Sequence, residues 1–550
     1  MDKLRSYFNR ERIILVGVII FLLIAGIVLR TRMYSDYLTF NDSYRYLVKA
    51  DSFTHDTAQE YLTQKSTAGS EWGYPLLVGL VNAPFNFSDE KLVTLARYVN
   101  IILSLAIGVV YLLYMKKHRG LALCLFLSPI FVTYSSYVIA EYFTLLLIML
   151  VLALLHQIPG KDAVTDPKYR LKSIGYSLYI GLMLGLLPLA RVEMFVISAL
   201  FLFYLGWINR TAFITALITA VLTYVGLFTL VFAHLDHLDS LPNLFLSILK
   251  SPLMVHLIIM VGAAYVYFKK IAQNYHRLFY IFTGVYTLWF TLGLVFSVHF
   301  KTAYDMDRIL YTLIVVMLTI ISFYGYIKKV KTSKLFDLLC IILMALSWIY
   351  YIFDNTVDRY ALNIFGLALI VIGTFLSETN VLSDLKAYFG SLVHLHNSTD
   401  NRLEKYQIKG VFAAVFIVTL GFFYSIYGHF MILNEISPKS TDYRQYIVHE
   451  LQYTSSSGNI YVSEDLYLPY MFFTGTKPRL INQSIFFDMK PGDRIILDAY
   501  VMSYNTDLYN VIMLSPGKFT IERTAIYQKP VSKSNNEGIA QDSAYLVEVK

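Results

Sequence analysis

The feature that most constrains this chain is a series of unbroken apolar runs, each long enough to cross or nearly cross a bilayer. A membrane helix takes about 20 predominantly apolar residues. Thirteen segments meet or approach that length: 13–29, 92–115, 120–135, 138–156, 174–190, 194–208, 211–233, 252–268, 278–298, 309–327, 335–353, 360–376 and 410–431. Soluble cores alternate apolar with polar residues, and these runs do not. An outer-membrane barrel is excluded too, because its strands show short period-two segments. Of the 550 residues, 56% are hydrophobic and 15% charged, against about 25% charged in soluble domains. The chain reads as a polytopic α-helical membrane protein with about 13 transmembrane helices.

Lys and Arg outnumber Asp and Glu by 46 to 38. In a soluble protein that excess could signal nucleic acid; here it falls in alternate loops, so no nucleic-acid partner is implied. With the N-terminus inside, the inner segments hold Lys3, Arg5, Arg10 and Arg12, then Lys116, Lys117 and Arg119. Further inner groups are Lys161 to Lys172, Arg210, Lys269 to Arg277, Lys328 to Lys334, and Lys386 to Lys409. Positive residues stay on the cytoplasmic side. The expected location is therefore a plasma (cytoplasmic) membrane, crossed many times, with a cytoplasmic N-terminus and an extracytoplasmic C-terminal domain. The first run lacks a small-residue cleavage site and reads as a retained span. Cys124 and Cys340 lie inside apolar runs, which speaks against a structural disulfide.

Two domains follow: a transmembrane domain over 1–433, with a large first outer loop at 30–91, and a small α/β extracytoplasmic domain over 434–550. In the latter, Thr441–Tyr453 and Leu466–Phe473 read as helices. Asn459–Glu464, Arg494–Val501, Phe519–Gln528 and Tyr545–Lys550 read as strands. Apolar residues from Val381 to Val393 recur at helical spacing and suggest an amphipathic helix on the inner leaflet.

The chemistry-bearing candidates are the few charges at the outer ends of spans. After the first span, Tyr37, Phe40, Tyr44, Leu47 and Val48 share one helical face, with Asp42, Arg45 and Lys49 opposite. Asp42 could take a proton while the cations hold an anion, or Asp42 and Arg45 could be an ordinary surface pair. Glu141 lies in the turn joining the third and fourth runs, Arg191 and Glu193 sit in the turn between the fifth and sixth, and Lys301, Arg308 and Arg359 precede later ones. Charges at membrane depth face a partner or a polar cavity. Local partners exist for several: Glu193 for Arg191, Asp305 or Asp307 for Arg308, Asp354 or Asp358 for Arg359. Arginines converging there would suit a phosphate, which a guanidinium grips with two hydrogen bonds. His234, Asp236, His237 and Asp239 could hold a metal or form a polar loop. Asp305 and Asp307 could share a divalent cation or be hydrated. Tyr74, Tyr134 and Tyr137 could line a sugar or phosphate site. No phosphate-cradling glycine loop, zinc-protease motif or serine-hydrolase elbow is present.

Taken in order, these pieces resemble the GT-C superfamily of polyprenyl-phosphate-sugar glycosyltransferases, in its protein O-mannosyltransferase and aminoarabinose transferase group. The matching motifs are Phe40-Asn41-Asp42-Ser43-Tyr44-Arg45-Tyr46, Glu71-Trp72-Gly73-Tyr74-Pro75, Ser128-Pro129 through Ala140-Glu141, Leu189-Ala190-Arg191-Val192-Glu193, and the Asp-Arg pairs at 307–308 and 358–359. The chain departs from that group's pattern at Asn41, where mannosyltransferases commonly carry a second acid, and at Val192 in place of proline. The Trp-Trp-Asp-Tyr-Gly signature of oligosaccharyltransferases is absent. The resemblance implies a GT-C-like fold and transfer of a sugar from a polyprenyl-phosphate-linked donor to a lipid, glycan or protein acceptor, with inversion. It implies Asp42 as general base, Glu141 positioning the acceptor or a divalent metal, and Arg45, Arg191 and Arg308 steadying the leaving phosphate. A transporter or flippase of lipid-linked sugars is the competing class, although no internal duplication of the kind transporters show is evident.

Overall fold

The computed structural model describes residues 10–32, 41–54, 71–115, 118–158, 167–234, 250, 252–271, 276–296, 305, 307–352, 358–381, 383–384, 443–452, 458–481, 489–515, 517–528 and 541–550. In a bilayer every backbone N–H and C=O must be satisfied within the protein, so the apolar runs fold as helices. They are α1 (Arg10–Arg32), α4 (Asp89–Tyr114), α7 (Glu141–Leu155), α8 (Pro167–Ala190), α9 (Met194–Ile208), α10 (Arg210–His234), α11 (Pro252–Val266), α12 (His276–Phe296), α13 (Arg308–Lys328), α14 (Lys334–Ile352) and α15 (Ala361–Glu378). Short helices α2 (Asn41–Asp51) and α3 (Gly73–Asn82) lie between α1 and α4.

Twelve of the thirteen expected runs fall largely on described helices, the third of them on two short ones. Among the described residues, six helices are long and apolar enough to cross a membrane, and five more apolar helices are shorter. The third run is broken into α5 (Ala122–Leu127) and α6 (Pro129–Tyr134), because Pro129 cannot donate a backbone hydrogen bond and Ser128 is extended. Buried Arg30 collects the carbonyls freed at the end of α5, donating to Phe126 O (2.8 Å) and Leu125 O (3.1 Å). The run at 410–431, and all of 381–393 except Val381, Ser383 and Asp384, lie outside the described residues.

Helices α8 and α10 meet along small residues: a Cβ on Gly181 or Gly185 would lie 2.5 Å from Ala216 O or Ala220 O. Such close backbone approach is how membrane helices gain packing energy without a hydrophobic drive. Helix α15 is the central span, with Ala361 to Leu376 all buried. Its N-terminus therefore opens at the middle of one end of the bundle. The starts of α7 and α9 and the end of α8 meet it there.

The C-terminal residues form a mixed sheet, order β2-β1-β3-β5-β4, from β1 (Ile460–Val462), β2 (Arg479–Leu480), β3 (Arg494–Leu497), β4 (Phe519–Gln528) and β5 (Gln541–Val549). β1 runs parallel to β2 and β3, while β5 is antiparallel to β3 and β4. Alternation sends Ile460, Val462 and Ile496 to one face, under α16 (Tyr443–Leu451) and α17 (Glu464–Thr474). Tyr461, Ile495 and Leu497 go to the other, under α18 (Ala499–Tyr504) and α19 (Thr506–Met513). The strand expected over Arg494–Val501 stops at Leu497, because the Asp498 side chain accepts from Val501 N (3.1 Å) and caps α18.

Candidate active site

The site forms where α2, the segment before α3, the α8–α9 turn, the start of α7 and the start of α15 converge. The α8–α9 turn is built locally. Pro188 has no N–H for Leu184 O, and the Ser198 hydroxyl from α9 takes that carbonyl at 2.9 Å. Helix α8 then ends at Ala190 and leaves Arg191 and Glu193 in a tight turn. Gly73 lets the next segment close on it: a Cβ there would lie 2.7 Å from Ala190 N. Gly73→Ala must move one backbone or the other, so we expect a loss of about 1–3 kcal/mol. A lowered melting temperature of the purified protein would show it; an unchanged one would mean the contact is slack.

Arg191 is buried at the centre of the cluster. Its Nε donates to Glu193 Oε1, its Nη1 to Glu141 Oε1 at 2.9 Å, and its Nη2 to Tyr360 Oη at 2.9 Å, with Glu71 Oε1 at 3.9 Å. Arg359, also buried, reaches Asp42 Oδ2 through Nη2, and its Nε lies 3.4 Å from Glu141 Oε1. Asp42 is thus held from two sides, since Arg45 Nη2 lies 3.0 Å from its Oδ1. Arg45 also donates to Glu71 Oε2 at 2.5 Å. Tyr360 accepts from both Arg191 and Arg359 and stacks on Tyr350 at 4.7 Å. Glu141 is fully buried, and among the described residues its Oε2 has no hydrogen-bond partner.

Asp42 keeps 28% of its side chain exposed, which makes it the most accessible acid of this cluster. Burial pushes its carboxyl up, but Arg359 and Arg45 outweigh that and hold it at about 2. Lys49, expected on a charged helix face, is instead buried, with Nζ 4.8 Å from the Trp72 ring centroid and 3.3 Å from Glu71 O. Burial, reinforced by Arg45, pushes its ammonium down to about 7, against the pull of Glu71 and Asp42. Four acidic side chains (Asp42, Glu71, Glu141, Glu193) thus gather with four basic ones (Arg45, Lys49, Arg191, Arg359).

The structure brings together Asp42, Arg45, Glu141, Arg191, Glu193 and Arg359 from the sequence candidates. The local pairs Asp42–Arg45 and Arg191–Glu193 both form. Arg359 takes Asp42 and Glu141 rather than a neighbour in sequence. Arg308 pairs with Asp305 at 3.0 Å, its side chain 61% exposed, outside the buried cluster. Asp307 turns away to accept from the Ser128 hydroxyl and Leu310 N, so the two aspartates have separate partners. Tyr74 is buried behind Tyr46 and donates to Ala96 O at 3.0 Å. Tyr134 and Tyr137 are buried against each other. Lys301, Asp236, His237, Asp239 and the His234 side chain lie outside the described residues. Among the described residues no three His, Cys, Asp or Glu side chains form a metal-holding group. Glu71 and Tyr360 were missed as site residues. Glu71 carried one signal: no basic residue lies within four positions of it.

The charged cluster thus sits at one end of a multi-pass helical membrane bundle that also carries a C-terminal mixed sheet. The chain shares its fold with ArnT from Cupriavidus metallidurans in the apo state, with a TM-score of 0.52 at 12% identity, covering 96% of this chain and 98% of that one. ArnT bound to undecaprenyl phosphate superposes with a TM-score of 0.50 at 11% identity and the same coverage. No family model and no curated protein sequence matches the chain.

Proposed function

We propose that this protein is a membrane glycosyltransferase that moves a sugar from a polyprenyl-phosphate donor to an acceptor hydroxyl. The observation that carries the reading is Asp42, a part-exposed carboxylate held between Arg45 and Arg359 in a chain with the fold of ArnT. The solved relative bound to undecaprenyl phosphate supports that class of lipid as partner. The site lies at the helix ends remote from Arg119 and the basic segment at 328–334, which supports an extracytoplasmic site and a cytoplasmic N-terminus.

Asp42 tied to two guanidiniums is a weak base. An entering phosphate competes for the same N–H groups. As Arg45 and Arg359 turn to it, Asp42 loses the charges that hold its carboxyl low and becomes a better proton acceptor. The acceptor oxygen then bonds to the anomeric carbon as the bond from that carbon to the phosphate oxygen breaks. The hydroxyl proton passes to Asp42, and the lipid phosphate leaves with the electron pair on Arg45 and Arg359. A single displacement inverts the anomeric centre. Arg191, Glu141 and Tyr360 stand behind and orient Arg359. The donor binds first and arms the base.

Lys49 gives this reading a pH signature. Its ammonium loses its proton as pH rises through about 7, and the site then has one cation fewer for an anionic lipid. Undecaprenyl phosphate should bind more weakly at alkaline than at mildly acidic pH. Lys49→Arg, which stays charged, should remove that part of the dependence and leave only the titration of the lipid phosphate. Identical pH profiles for wild type and variant would remove Lys49 from donor binding. The function itself is tested by transfer of labelled sugar from the polyprenyl phosphate by the purified protein.

A further inference from the structure

Helix α17 belongs to two cores at once. Leu466 and Tyr470 pack into the core beneath the C-terminal sheet, while Met471 and Phe472 lie in the core of the membrane bundle. Tyr467 and Phe473 pack against both. The bundle element that α17 meets most extensively is α2, the helix that begins at Asn41 and carries Asp42, with α4 beside it. Fully buried Tyr44 receives two aromatic edges there, with ring centroids 5.9 Å from Phe473 and 6.4 Å from Phe472. Phe472 and Phe473 are themselves edge to face at 5.1 Å. Helix α17 stops directly beyond this pair, because Gly475 takes the left-handed conformation (φ +63°) as its C-cap.

Other contacts hold the clamp. Arg444 of α16 grips Asp465 of α17 with two hydrogen bonds of 2.9 Å. His449 of α16 lies 5.3 Å from the Phe473 ring and 3.5 Å from Glu90 at the start of α4, and Gln445 donates to the same carboxylate at 3.1 Å. On the bundle side, Ser43 donates to Val138 O at 2.8 Å and ties α2 to the segment leading into Glu141. Tyr44 stands two residues from Asp42, so a shift of its ring rotates or slides the first turn of α2.

We propose that the C-terminal sheet unit positions the general base, with Phe473 and Phe472 as positioning residues that act on Asp42 through Tyr44. The proposal rests on the reading of Asp42 as base and adds a task for the C-terminal unit. Geometry at a reacting centre is unforgiving, since a displacement of about 1 Å can cost a hundredfold in rate. A helix as short as α2 needs such support, because isolated helices below about 12–15 residues are marginal in water.

The test uses the full chain in lipid nanodiscs, with Phe473→Ala and Phe473→Tyr beside wild type. Hydrogen exchange reads the coupling without reference to activity. Amides of 41–51 should exchange faster in Phe473→Ala, while those of the central helix α15 stay as in wild type and Phe473→Tyr restores protection. Steady-state transfer should show kcat lowered at least about tenfold in Phe473→Ala, with the affinity for undecaprenyl phosphate within about twofold. A purely structural role would lower exchange protection throughout the bundle. Unchanged exchange at 41–51 overturns the proposal, as does faster exchange there with kcat unaffected. Absence of transfer by wild type would instead count against the reading of Asp42.

Discussion

Asp42→Asn should lower sugar transfer roughly a hundred- to ten-thousandfold, the usual contribution of a general base, while the protein folds and binds donor. Asparagine matches aspartate in size and can still accept from Arg359 and Arg45, so the packing around α2 survives. It cannot take up the acceptor proton. It also carries no charge, so the two guanidiniums that Asp42 occupies are freed for an anion. Undecaprenyl phosphate should therefore bind the variant as tightly as wild type or more tightly. This split follows from the ion-pair exchange and from no purely structural role. Were Asp42 only a surface partner of Arg45, the variant would transfer sugar at the wild-type rate.

The second large effect falls on stability. Arg191 is buried and contacts Glu193, Glu141 and Tyr360, with Glu71 at 3.9 Å. Removing one partner of a buried charged network leaves the others uncompensated, at about 3–5 kcal/mol. Arg191→Met should accordingly give a sharply lower melting temperature and poor recovery of folded protein. The double variant Arg191→Met, Glu141→Gln should recover part of the loss, because it removes a carboxylate that the arginine neutralised. Strict additivity of the two single losses would show that the charges are not coupled. Arg308→Ala offers the contrast: its exposed pair with Asp305 should contribute about 0–1 kcal/mol.

The sequence already marked the helix at Asp42, the Arg191 turn and the arginine before α15, because charges stand out against runs that are otherwise apolar. It could not pair them. Asp42 and Arg359 are 317 positions apart, and nothing in local spacing favours that contact over Arg359 with Asp358. Lys49 looked solvated because a helical wheel shows one helix and not what covers it; the 71–72 segment turns its charged face into an interior. The break at Ser128 was hidden inside an apolar run, where Arg30 supplies the missing donors from α1. The alternating strands of the sheet were legible, and the overrun at Val501 came from missing Asp498 as a helix cap.

The central claim is that this bundle moves a sugar off a polyprenyl phosphate at the Asp42 site. The most direct measurement incubates the purified protein in lipid with a panel of radiolabelled polyprenyl-phosphate sugars, acceptor membranes and, in parallel, the Asp42→Asn variant. Label from at least one donor should pass to acceptor with the anomeric centre inverted, and the variant should transfer at least about a hundredfold less. Movement of the lipid-linked sugar across the bilayer without transfer, equal in both proteins, would contradict the claim and identify a flippase.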